Sequence, residues 1–252
     1  MMPFKQRLLA GEPLIGTFMK TPSPMLCEVI ARSDLSAICL DAEHSPFDRG
    51  DLDVCLLALR AAGMPTLVRV PSCLSEHILN ALDLGADGLL APHITTAAEA
   101  AALVEAAAYG KGRGYSGSTR AAGYGARTMP EHLKQSAGAA AIIGQIEDAE
   151  ALDNLDDILR VEGLDCVFIG RADLTVSLGY DSPAAPQVVS VVEDICKAAK
   201  AANVRCGMFT ANVAELGQWQ DLGASLFLLG SDHNFMLAGV AKLVADANAA
   251  LS

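Results

Sequence analysis

Two carboxylates stand at the ends of short apolar runs. Glu147 closes Gly144-Gln-Ile-Glu, and Asp173 closes Gly170-Arg-Ala-Asp. If those runs are sequential strands of one sheet, their ends lie about 4.8 Å apart, and the two side chains can share one hard cation. No Cys or His stands beside them in the sequence, so oxygen-ligand ions such as Mg²⁺ or Mn²⁺ fit better than structural zinc. Two protein ligands leave positions for water and a chelating substrate, as a catalytic metal requires. The competing reading is a pair of solvated carboxylates, or a salt bridge to Arg171.

Other strand ends carry matching chemistry. Arg69 closes Leu-Val-Arg-Val-Pro, where a fixed guanidinium suits an enolate or carboxylate oxygen; the alternative is a buried structural ion pair. His44 follows Asp41 and Glu43 and titrates in the range of a general base, although a lone histidine is usually structural. His93, Gln145, Thr210 and Ser231-Asp232 complete the polar set. His77, His132 and His233 fall on helices or their starts and read as surface or packing residues.

The elements that must position these groups recur along the chain. Eight apolar runs, at 14–19, 35–40, 65–70, 88–92, 140–146, 166–169, 205–209 and 225–229, are apolar throughout, as parallel strands buried on both faces should be. Helical patterns lie between and after them, at about 23–33, 51–62, 75–84, 96–108, 148–160, 187–202, 213–222 and 234–250. Thr96 and Glu99 form a capping box, and Gly63, Gly85, Gly163 and Gly223 sit where helices should end. Eight strand-then-helix units predict an α/β chain folded as one closed (β/α)₈ TIM barrel over residues 1–252. An open doubly wound sheet would want a glycine turn after its first strand, and Phe-Met-Lys-Thr-Pro has none. The segment Gly110–Met129, with Lys111, Arg113, Arg120 and Arg127, falls outside the repeat and reads either as an anion-binding loop or as a subunit-contact or solvated one.

The 252 residues carry 18 Lys+Arg against 30 Asp+Glu, a formal charge of −12, which argues against nucleic acid or an anionic membrane as partner. No apolar run reaches the length of about 18 residues that a membrane span needs. Met1–Gly11 shows no signal-peptide core, so a cytoplasmic protein is expected. Seven scattered cysteines without a C-x-x-C pair read as reduced core thiols.

The stretches LAGEPLIGTF (9–18), LDAEHSPFD (40–48), LVRVP (67–71), LDLGADGLLAP (82–92), GQIED (144–148), VEGLDCVFIGRADLTVSLGY (161–180) and LGASLFLLGSD (222–232) resemble the HpcH/HpaI aldolases, metal-dependent pyruvate aldolases. The resemblance implies cleavage of 4-hydroxy-2-oxo acids to pyruvate, or a related acid such as hydroxypyruvate, and an aldehyde. It implies a divalent metal (Mg²⁺, Mn²⁺ or Co²⁺) on Glu147 and Asp173, with Gln145, Gly170 and Ala172 holding the pyruvate portion. Arg69 would stabilise the enolate, and His44 would be the base, acting through water and oriented by Asp83. The family forms hexamers of dimers whose last helix, here 234–250, is exchanged between subunits. Arg171 replaces a common proline and His93 a common methionine, while Phe18 and Phe209-Thr210 also depart from the pattern; these bear on the aldehyde. Arg120 is expected to contact an acidic tail on the acceptor.

Three alternatives remain. A Schiff-base aldolase needs a strand-end lysine, for which Lys20 alone qualifies. A citrate-lyase-β or malyl-CoA-type lyase would want a nucleotide groove. A non-catalytic 2-oxo-acid sensor would need neither His44 nor Asp83.

Overall fold

The computed structural model describes residues 2–251. Eight strands close a parallel barrel in sequence order: β1 (Leu14–Met19), β2 (Ala37–Asp41), β3 (Thr66–Arg69), β4 (Gly88–Ala91), β5 (Ala141–Ile146), β6 (Cys166–Ile169), β7 (Arg205–Phe209) and β8 (Ala224–Ser231). The expected (β/α)₈ barrel is therefore the fold, and each strand overlaps its predicted run. The helices are α1 (Phe4–Ala10), α2 (Pro24–Ile30), α3 (Arg49–Ala61), α4 (Ser75–Asp83), α5 (Ala97–Ala107), α6 (Met129–Ser136), α7 (Glu150–Asp153), α8 (Leu155–Ile158), α9 (Arg171–Ser177), α10 (Pro186–Ala201), α11 (Leu216–Asp221) and α12 (Asp232–Leu251). Three of them, α1, α6 and α9, were not expected, and the helix expected at 148–160 is the two short turns α7 and α8.

Strand periodicity sorts the side chains. Leu14, Phe18, Ala37, Cys39, Leu67, Leu90, Ala141, Ile143, Cys166, Phe168, Leu226 and Leu228 form one buried cluster inside the barrel, and Phe4 and Leu8 of α1 belong to it and close its lower end. The alternate residues pack outward under the helices as a second, larger cluster. Following the inward positions upward, Cys39 leads to Asp41, Leu67 to Arg69, Ile143 to Gln145 and Glu147, and Phe168 to Gly170. The register pairs Asp41 with Arg69 across β2 and β3. The same period that fills the core with hydrocarbon thus delivers a polar top layer.

Thr96 and Glu99 make the predicted capping box at α5. Gly63, Gly85, Gly163 and Gly223 all take positive φ beyond helix ends. Six of the seven cysteines are buried, and all seven are free thiols. Among the described residues, no helix is long and apolar enough to cross a membrane.

The loop from Gly110 to Thr128 turns its arginines inward, while Lys111 is exposed. Arg113 meets Asp83 at 2.7 Å, and Arg127 donates to the Ala121 carbonyl at 3.0 Å. Arg120, only 7% exposed, meets Asp53 at 2.6 Å and donates to the Leu84 carbonyl at 3.1 Å. Within the chain its guanidinium ties the loop to the end of α4.

Candidate active site

Asp41, with no exposure, accepts from Arg69 Nε at 2.9 Å and from Nη2 at 2.8 Å. Lys20 Nζ lies 3.2 Å from its Oδ2, and the His44 backbone N–H donates to Oδ1 at 3.2 Å. Burial works to raise the Asp41 carboxyl, but the Arg69 hydrogen bonds and charge outweigh it and hold the group below the usual carboxylate range. A two-point contact of this kind fixes the plane of the guanidinium. Phe18 supports the other side, its ring centre 4.5 Å from Arg69 Cζ.

Beside Arg69 lies a cleft of about 210 Å³ lined by Phe18, Lys20, His44, Gln145, Gly170 and Asp173, with Ala172 and Phe209 at its edge. Gln145 is buried behind it and donates through Nε2 to Glu147 Oε2. Glu147, 2% exposed, also accepts from the His93 N–H at 3.0 Å. Burial raises its carboxyl above the ordinary range despite those donors. Glu43 is raised by burial too, against the pull of Arg69, whose Nε is 3.3 Å from its Oε2.

Gly170 makes this arrangement possible. A Cβ there would stand 2.6 Å from Glu147 Oε2 and 2.8 Å from Gln145 Nε2. Gly170→Ala is expected to lower unfolding stability by about 1–3 kcal/mol through overpacking; an unchanged midpoint in urea would show the crowding to be absent.

Of the residues expected from sequence, His44, Arg69, Gln145, Gly170, Ala172 and Asp173 border one cleft, with Glu147 directly behind Gly170. Asp83 is elsewhere. It ends α4 on the opposite rim of the barrel, since helices run counter to the strands, and its carboxylate is taken by Arg113. Within one chain it does not reach His44, whose Nε2 is 3.5 Å from Glu43 Oε2. Arg171 pairs with Glu215 at 2.6 Å and lies over Trp219, so it neutralises neither Glu147 nor Asp173.

Sequence reasoning did not give Glu43 or His93 a place in the metal chemistry. Glu43, His93 and Glu147 bring ligand atoms within 4.8 Å of one another, the one such group of three among the described residues. The expectation that no histidine stands beside the carboxylates is thereby overturned. His93 takes φ 55°, a left-handed conformation that histidine tolerates better than bulky residues, and this turn folds its backbone N–H and ring back onto Glu147.

The donor set suits a divalent cation. Asp41, Glu43, Glu147, Asp148 and Asp173 outnumber the cations Lys20, Arg69 and Arg171, the last of which is paired with Glu215. Glu43 Oε2 and Gln145 Oε1 are buried without a hydrogen bond, and the two carboxyls raised by burial would both gain from a positive charge beside them.

Residues 14–238 match the family model described as HpcH/HpaI aldolase/citrate lyase. The chain is 36% identical to a hydroxypyruvate/pyruvate aldolase of Paraburkholderia phytofirmans over 245 residues, 93% of each chain. It is 34% identical over 243 residues to a 5-keto-4-deoxy-D-glucarate aldolase of Salmonella arizonae, covering 95% of this chain and 94% of that one. The crystal structure of an HpcH/HpaI aldolase/citrate lyase family protein from Burkholderia cenocepacia superposes with a TM-score of 0.92 at 32% identity, over 97% of this chain and 98% of that chain.

Proposed function

The chain belongs to the HpcH/HpaI aldolase/citrate lyase family, and from that membership we propose that it is a divalent-metal-dependent aldolase that reversibly cleaves 4-hydroxy-2-oxo acids to pyruvate, or hydroxypyruvate, and an aldehyde. The observation that carries this reading is the fixed Arg69 guanidinium facing the same small cleft as Gln145, Gly170, Ala172 and Asp173, with buried Glu147 behind it.

Glu147 and Asp173 are assigned as the metal ligands, and Mg²⁺, Mn²⁺ or Co²⁺ would supply a Lewis acid for the 2-oxo acid. Gln145 and the backbone at Gly170–Ala172 hold the pyruvate portion against the floor of the cleft. His44 takes the proton of the 4-hydroxyl, the C3–C4 bond breaks, and its electron pair moves into an enolate whose oxygen faces Arg69. Because Asp41 has already fixed the guanidinium, little reorganisation is needed as that charge develops. The aldehyde leaves, and protonation at C3 completes the 2-oxo acid. A cleft of about 210 Å³ is smaller than the roughly 300–1,000 Å³ of drug-sized ligand sites, which favours a small acid over a CoA thioester.

Lys20 is ion-paired to Asp41, which opposes a Schiff-base role. Borohydride added with pyruvate is therefore expected to leave cleavage intact, and inactivation with a covalent adduct on Lys20 would overturn the mechanism.

The same reading assigns α12 to exchange between subunits of a hexamer. Its Phe235, Met236, Leu237, Val240, Leu243 and Val244 are all exposed, Leu237 to 71%, and an apolar face of that kind calls for a covering surface. Leu237→Asp combined with Leu243→Asp is expected to give smaller species in sedimentation velocity. An unchanged oligomer would remove the exchange.

A further inference from the structure

His93 is placed to do more than hold Glu147 through its backbone. Its Nδ1 lies 2.9 Å from Asp148 Oδ2, and a carboxylate only accepts, so Nδ1 carries the hydrogen. In the neutral ring the lone pair is then on Nε2. Nε2 lies 3.7 Å from Glu43 Oε1, while Glu147 Oε1 lies 3.5 Å from Nδ1 on the other side of the ring. Carboxylate on one ring nitrogen and free lone pair on the other is the arrangement that orients a metal-ligating histidine. Ligands at about 2.0–2.2 Å from an ion can stand up to about 4.4 Å apart, so the three groups need only small side-chain movements to meet one ion. Glu43 adds a second sign: its side chain is 9% exposed, its Oε2 sits 3.3 Å from Arg69 Nε without making a hydrogen bond, and its Oε1 is the oxygen turned toward His93.

We infer that His93, through Nε2, and Glu43 are further protein ligands of the ion assigned to Glu147 and Asp173, and that this nitrogen makes the site favour borderline ions such as Co²⁺ over Mg²⁺. The inference rests on the metal-dependent reading above and deepens it. Imidazole binds borderline first-row ions well, whereas Mg²⁺ selects oxygen. Asp148 acts as a positioning residue, holding the ring with Nε2 turned toward the carboxylates.

The test is binding of the metal alone to chelator-stripped protein, followed by calorimetry with Co²⁺ and Mg²⁺ and by pulsed EPR of the Mn²⁺-loaded protein. His93→Asn is the variant, because asparagine tolerates positive φ. Wild type should show ¹⁴N modulation from a coordinated imidazole. His93→Asn should lose it, with Co²⁺ affinity falling about tenfold or more and Mg²⁺ affinity changing by less than about threefold. Asp148→Asn should weaken Co²⁺ by about tenfold while keeping the modulation. Mn²⁺ bound without nitrogen modulation in wild type would overturn the role of His93 and leave the metal reading standing. Modulation that survives in His93→Asn would do the same and point to His44. Absence of stoichiometric binding of any of the three ions would overturn both readings. The wild-type spectrum decides the question even if His93→Asn fails to fold.

Discussion

Arg69→Ala should reduce kcat for cleavage of a 4-hydroxy-2-oxo acid by about 10²–10³-fold, the usual loss when one preorganised donor to a developing oxyanion is removed. It should also destabilise the fold, because Asp41 is fully buried and Arg69 supplies two of its hydrogen bonds. Stripping one partner from a buried ion pair costs about 3–5 kcal/mol, and the Lys20 ammonium 3.2 Å from Asp41 places the expected loss at the lower end. Arg69→Lys separates the two effects. Lysine keeps the charge and hence much of the stability, but it cannot make the two-point contact that fixes a planar fork. Its kcat should stay down by at least about tenfold while the urea midpoint largely recovers. Wild-type kcat in Arg69→Lys would mean that charge alone, and not the orientation imposed by Asp41, serves the reaction.

Glu147→Gln should have the opposite signature: activity falls by about 10³-fold or more while the fold keeps its stability or gains some. The side chain is 2% exposed, and burial raises its carboxyl, so the charged form is disfavoured unless a cation stands beside it. Glutamine fills the same volume without that charge. Its oxygen can still accept from one of the two donors, the His93 N–H or Gln145 Nε2. What it cannot do is offer a carboxylate to a hard cation. Metal titration, thermal unfolding and cleavage rate measured on this one variant check all three statements. A variant that loses stability and activity in parallel would make Glu147 a structural residue only.

Much of the barrel was legible because strands buried on both faces leave continuous apolar runs, and β1, β6 and β7 begin and end at the predicted residues. The missed helices have physical reasons. The α1 segment is seven residues long and buries only Phe4 and Leu8, too few for a visible period. The α9 helix begins at the strand-end loop itself, with Asp173 in its first turn, so its residues read as site and not as helix. At the site, spacing could place Arg69, Gln145 and Glu147 on one inward series, because alternation along a strand is a local property. It could not bring His93 to Glu147, which depends on a positive φ after Pro92. The signal lay in the sequence as a polar residue following the apolar run of β4. The in-chain partners of Asp83 and Arg120, namely Arg113 and Asp53, were not legible for a related reason: they are set by the path of a long loop with no periodicity to read.

The most direct test of the central claim is pyruvate release from 4-hydroxy-2-oxo acids by EDTA-treated protein, before and after addition of Mg²⁺, Mn²⁺ or Co²⁺. Activity that disappears with chelation and returns with the ion is the predicted result. Cleavage that persists at the untreated rate after complete removal of metal would contradict the account and leave Glu147 as a buried structural carboxylate and Asp173 as a solvated one.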